Sequence, residues 1–111
     1  LFAGKIHAVL CRDYKNRVKG RDFFDYIWYL QKGCPVNIFH LQKRLEQSNK
    51  WNPDTTLTIE KLKILLTERF YSIDFNIAKN DVEMFLNPHD RESLSVWNSN
   101  FFEDITNRFL N

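Results

Sequence analysis

The chain has 111 residues, of which 43% are hydrophobic and 15% aromatic, including ten Phe, four Tyr and three Trp. That is enough apolar side chain for one packed domain and too much for a disordered polymer. The net charge of +2 hides an asymmetry, because residues 1–50 hold ten Lys/Arg against four Asp/Glu and residues 51–111 hold six against ten. No apolar run approaches the roughly 18–20 residues of a membrane span, and no stretch reads as a charged start, apolar middle and small-residue cleavage site.

Helical periodicity runs throughout, and no segment alternates β-branched residues as a strand would. An all-α fold is predicted, an irregular bundle of about six helices forming a single domain over residues 1–111. The first helix runs from the N-terminus to about Arg12, with Phe2, Ile6 and Val9 facing inward and Lys5 and Arg12 on a neighbouring face. It begins at Leu1 without a preceding cap, so the chain is read as a piece of a longer protein. A basic turn from Asp13 to Lys19 follows.

The second helix, from about Gly20 to Lys32, carries the stripe Phe23, Tyr26, Ile27 and Leu30, with Phe24 and Trp28 as a second apolar strip. Gly33 stops it ahead of Cys34-Pro35. A third starts at the cap Asn37 and turns Ile38, Leu41 and Leu45 inward. Ser48 to Thr56 is the clearest loop. The fourth begins after Thr58, with Leu57 and Leu62 as a hydrophobic staple and Leu62, Leu65, Leu66, Arg69 and Phe70 as its stripe. The fifth, about Phe75 to Leu86, places Ala78, Val82, Phe85 and Leu86 on one side and stops at Asn87-Pro88. In the last, Trp97, Phe101, Ile105 and Phe109 recur every four residues, with Phe102 beside them.

Chemistry-bearing motifs are few. His7, His40 and His89 are scattered and fit no metal-ligand spacing, and no Gly-rich phosphate loop or GxSxG elbow occurs. Cys11 and Cys34 fit two reduced thiols in a cytoplasmic protein, with a disulfide between them as the alternative. The remaining candidates cluster in the basic half. Asp22 and Asp25 share one helix face beside Arg21, where two carboxylates can bind a divalent metal, orient a base or simply hold cations. The plainer reading is an Arg21–Asp25 pair at i, i+4 with Asp22 serving the helix start. Lys5, flanked by small residues on an otherwise apolar helix, needs an anionic partner, and Asp22, Asp25 or a phosphate meets that need. Arg12, Lys15, Arg17 and Lys19, opposed only by Asp13, suggest contact with phosphate or nucleic acid, with a solvated surface turn as the alternative.

The order of two motifs points to a family. Leu1-Phe2-Ala3-Gly4-Lys5-Ile6-His7-Ala8-Val9-Leu10-Cys11-Arg12, a short basic turn, and Lys19-Gly20-Arg21-Asp22-Phe23-Phe24-Asp25-Tyr26-Ile27-Trp28-Tyr29-Leu30 closely resemble the second half of the AbiEii/AbiGii abortive-infection toxins, members of the nucleotidyltransferase superfamily. The specific match covers residues 1 to about 32; the rest agrees as a helical tail. The resemblance implies a C-terminal helical part attached to an N-terminal nucleotidyltransferase domain, and often an antitoxin. It implies phosphate contact for Lys5, an orienting or catalytic carboxylate in Asp22 or Asp25, and Arg21 as the ionic partner.

The family's metal-binding carboxylates belong to an upstream GS-containing motif absent from these residues. The expectation is therefore no cofactor in this chain, Mg²⁺ and a nucleoside triphosphate for the longer protein, and no turnover by the chain alone. Expected partners are the N-terminal domain, an antitoxin and an RNA acceptor, with no membrane. The alternatives are a non-catalytic module that binds nucleic acid through the basic stretch Arg12 to Arg21 and nearby aromatics, or one whose aromatic helices form an antitoxin or dimer interface.

Overall fold

The computed structural model describes residues 1–111 as an all-helical globule. Seven α-helices follow in order: α1 Phe2–Cys11, α2 Gly20–Gln31, α3 Ile38–Gln47, α4 Ile59–Tyr71, α5 Phe75–Glu83, α6 Pro88–Ser93 and α7 Ser99–Phe109, with a single 3-10 turn at Leu94–Val96 before α7. No helix is long and apolar enough to cross a membrane.

Local chemistry sets the helix ends. Asn37, Thr58, Asp74, Asn87 and Asn98 each accept a backbone N–H at the start of α3 to α7 through a side-chain oxygen. α2 closes with Gly33 at φ +68°, where Gly33 N–H donates to Leu30 and Cys34 N–H to Tyr29, pairing carbonyls that the last turn leaves open. Asn49 (φ +57°) closes α3 in the same way, with Lys50 N–H donating to the Leu45 carbonyl.

α2 lies at the centre, packed against α1, α5 and α7, while α4 packs along α7 and α1 reaches α3. The core is aromatic. Phe75 stacks on Phe102 at 4.7 Å between ring centres, and Phe23 meets Phe102 edge-on at 5.6 Å. Tyr26 and Thr106, both fully buried, satisfy one another through a 2.7 Å hydroxyl–hydroxyl hydrogen bond. Gly20 allows α2 to approach α5, since a Cβ there would lie 2.1 Å from the Ala78 carbonyl oxygen and 2.9 Å from Val82 Cβ.

Three expectations are corrected. Asn87-Pro88 does not end α5, which has already stopped at Glu83; Asn87 caps the short α6 and Pro88 occupies its first turn. α5 stops at Glu83, so Phe85 falls out of helical phase and is 65% exposed. In α7 the buried positions are Phe102 and Thr106, followed by Leu110, while Phe109 is exposed. The inferred stripe took its phase from Trp97, which lies before the Asn98 cap and is buried without belonging to the helix.

Candidate functional site

α1 and α2 meet at a charged corner of the apolar core. Phe2, Ile6 and Val9 fix one face of α1 in that core, and the phase of the helix then brings Lys5 against α2. Phe23, Tyr26 and Leu30 anchor α2 in the same way, which brings Asp22 and Asp25 onto Lys5. Lys5 Nζ lies 2.9 Å from Asp22 Oδ1 and 3.1 Å from Asp25 Oδ2. The other Asp22 oxygen accepts from Arg12 Nε at 2.7 Å and from the Tyr14 hydroxyl at 2.8 Å. Arg21 Nε stands 3.7 Å from Asp25 Oδ1.

Exposure grades these groups from inside to outside. The Asp22 side chain is fully enclosed, Lys5 is 18% exposed, Asp25 29%, Arg12 42% and Arg21 66%. Burial by itself would raise the Asp22 pKa; hydrogen bonds from Lys5 and Tyr14, the Lys5 charge and Arg12 outweigh it and hold the carboxyl below its ordinary range. Burial would likewise lower Lys5, yet its bonds to Asp22 and Asp25 raise it above the usual lysine value. Tyr14 is pushed far up by burial and by the Asp22 charge, so its hydroxyl serves as a donor.

Lys5, Arg12 and Arg21 against Asp22 and Asp25 leave the corner with one excess positive charge. It suits an anionic ligand. Magnesium, which the resemblance implies for the longer protein, does not fit these residues. Asp22 already accepts from three side chains, Asp25 faces two cations, and no group of three His, Cys, Asp or Glu side chains converges in the chain.

All four principal candidates, Lys5, Arg21, Asp22 and Asp25, thus come together, and Lys5 finds its anionic partner in both carboxylates. The basic turn divides. Arg12 joins the Asp22 network, and Arg17 pairs with Asp81 of α5 at 2.6 Å, whose second oxygen also accepts the Gly20 N–H at 2.9 Å. Lys15 and Lys19 form no ion pair. Tyr14 and Asp81 were missed by sequence reasoning; an aromatic residue within a run of charges was the available signal for Tyr14. Both cysteines are unbonded. A groove of about 830 Å³ between α2 and the α6–α7 region, of mixed apolar and polar lining, includes the half-exposed Trp28.

A family model described as nucleotidyl transferase AbiEii toxin, type IV toxin–antitoxin system, matches residues 1–104. The chain belongs to the AbiEii family. The match extends well past the first 32 or so residues, on which the sequence resemblance rested, and takes in the larger part of α7. Comparisons with curated proteins and with solved structures return no match. In this AbiEii-family chain the Lys5–Asp22–Asp25 corner joins the two motifs that carried the resemblance, and both lie within the matched span.

Proposed function

We propose that the chain is the helical part of a nucleoside triphosphate-dependent nucleotidyltransferase and lines its nucleotide cleft, with Lys5 contacting the triphosphate. The observation that carries this reading is the Lys5 ammonium held between Asp22 and Asp25 at 2.9 and 3.1 Å while still partly open to solvent. An ammonium has three N–H donors. Two hold the side chain in place, and the third remains for a phosphate oxygen.

Asp22, enclosed and shared by Lys5, Arg12 and Tyr14, is a positioning residue on this reading. Asp25 has the accessible carboxylate and is the group that meets the acceptor. It takes the acceptor hydroxyl's proton as that oxygen attacks the α-phosphorus and pyrophosphate leaves. Arg21, mostly exposed beside Asp25, balances the phosphate charge that accumulates there. The metal carboxylates are assigned to an N-terminal nucleotidyltransferase domain, so the helical chain by itself does not turn over. The same reading places the protein in the cytoplasm as a toxin, with an RNA acceptor and an opposing antitoxin.

The test is transfer of a labelled nucleotide by the full-length protein supplied with nucleoside triphosphate and Mg²⁺. Lys5→Ala is expected to lower kcat/KM by about a hundredfold, in line with losing a charged contact to the reacting phosphates. Wild-type transfer by a folded Lys5→Ala protein removes the role assigned to Lys5.

A further inference from the structure

A second concentration of positive charge lies on the side of α1 that faces α3. A groove of about 460 Å³ runs there, with small residues of α1, Gly4, Ala8 and Cys11, along its floor and Arg44 and Lys50 on its α3 side. It shares Cys11, Arg12 and Lys50 with an adjoining depression of about 560 Å³ that continues to Lys15 and Arg69. The two form one trough.

Its cations come from separate parts of the chain: Arg12 and Lys15 belong to the basic run, while Arg44, Lys50 and Arg69 lie outside it. The left-handed turn at Asn49 carries the backbone back across the end of α3 and delivers Lys50 to the trough. Gly4 leaves Arg44 room over the α1 floor, because a Cβ at that position would stand 3.1 Å from Arg44 Nη1. Arg69 reaches over from α4, stacks on the Tyr14 ring at 4.7 Å and donates to the Val9 and Arg12 carbonyls, fixing the end of α1.

Charge compensation is sparse. Arg44, Lys50 and Lys15 take part in no ion pair. The one acidic residue lining the trough is Asp13, which accepts the Lys15 backbone N–H. His7, hydrogen-bonded to Ser48 at 2.7 Å, is pushed down chiefly by burial and further by Arg44. Three uncompensated cations above a small-residue floor favour a ligand with several spaced negative charges over a single anion.

We propose that the trough binds the phosphodiester backbone of a single nucleic-acid strand through Lys15, Arg44 and Lys50. Arg12, shared with the Asp22 network, lies where the strand would meet the α1–α2 corner. The proposal redraws the contact surface suggested by the basic run, since Arg17 is committed to Asp81 and two residues of the α3 end take its place. It goes beyond the nucleotide reading and does not depend on it.

The test is fluorescence anisotropy of the chain with labelled single strands of about 16 nucleotides, one RNA and one DNA of the same sequence, at about 50 mM salt and upward. Affinity is expected to fall with salt at a logarithmic slope of about −2, the value for roughly three released counterions on a single strand. Arg44→Glu/Lys50→Glu should weaken binding at least about tenfold and flatten that slope; Arg44→Ala/Lys50→Ala should do so to a smaller degree. The charge-matched control Lys32→Glu/Lys61→Glu, on exposed cations outside the trough, should stay within about twofold. Circular dichroism checks the fold of each variant.

Tighter binding of RNA adds 2′-hydroxyl contacts to the phosphate ones, while equal affinity assigns the interaction to the backbone alone. Absence of salt-dependent binding by either strand overturns the proposal, as does an equal loss in the control pair. The assay contains no nucleoside triphosphate, so its failure leaves the role of Lys5 untouched.

Discussion

Replacing Asp22 by Asn tests whether one enclosed carboxylate organises the α1–α2 corner. In the native chain Asp22 has no exposed side-chain surface and accepts from Lys5, Arg12 and Tyr14 at 2.9, 2.7 and 2.8 Å. Asn keeps one acceptor oxygen and puts an NH₂ group where an oxygen received two donors. Removing one member of a buried charged set typically costs about 3–5 kcal/mol. That figure must be reduced here, because Lys5 retains Asp25 at 3.1 Å and Arg12 is exposed enough to regain water.

The expected loss is about 2–3 kcal/mol, most of it from the unmatched Tyr14 hydroxyl and the desolvated cations. For a domain of this size that lowers Tm by about 10 °C, and the urea midpoint falls with little change in slope. Asp25→Asn, which removes a partly exposed partner, should cost at most about 1 kcal/mol. A loss below about 0.5 kcal/mol for Asp22→Asn, or an equal loss for Asp25→Asn, refutes the assignment of Asp22 as the organising group.

Gly20→Ala should separate α2 from α5, because the added Cβ meets the Ala78 carbonyl at 2.1 Å; a loss of about 2–3 kcal/mol in urea unfolding is expected, and an unchanged midpoint would contradict the close approach. Stability should also follow pH in a set way. Asp22 and Asp81 are held below their ordinary value of 3.8, so their contribution is present above that pH and is lost as pH falls through their lower folded values. Lys5 is raised above 10.5, so its contribution is present below that pH and is lost as pH rises through its higher folded value. His7, lowered from 6.5, adds a loss that begins as pH falls through 6.5. Urea midpoints across pH check this: Asp22→Asn should reduce the acid loss below about pH 4, and an unaltered acid limb would contradict it.

The sequence pattern was most informative where burial repeats at helical spacing. Phe2, Ile6 and Val9 in α1, and Phe23, Tyr26 and Leu30 in α2, are all buried, and these stripes sufficed to bring Lys5, Asp22 and Asp25 onto facing surfaces. Capping chemistry was legible at Asn37 and Thr58. It was misread at Asn87-Pro88, which is the start of α6 and not the stop of α5, α5 having ended at Glu83. Thr106 escaped notice as a core position because its burial depends on the Tyr26 hydroxyl, 80 residues away in sequence.

The charged groups divided for the same reason. Arg12, Lys15, Arg17 and Lys19 look equivalent along the chain. The fold ties Arg12 to Asp22 and Arg17 to Asp81, and it places Lys50 between the depression lined by Arg44 and the one lined by Lys15. Ion pairing between distant residues leaves no periodic trace in a sequence, so these partners emerge only from the packed helices.

The central claim is that Lys5 touches the nucleotide, and lysine-selective acetylation of the full-length protein read by mass spectrometry tests it most directly. With nucleoside triphosphate and Mg²⁺ present, the account predicts that Lys5 labelling slows several-fold while the exposed Lys32 and Lys61 label as before. Equal labelling of Lys5 with and without saturating nucleotide would contradict it.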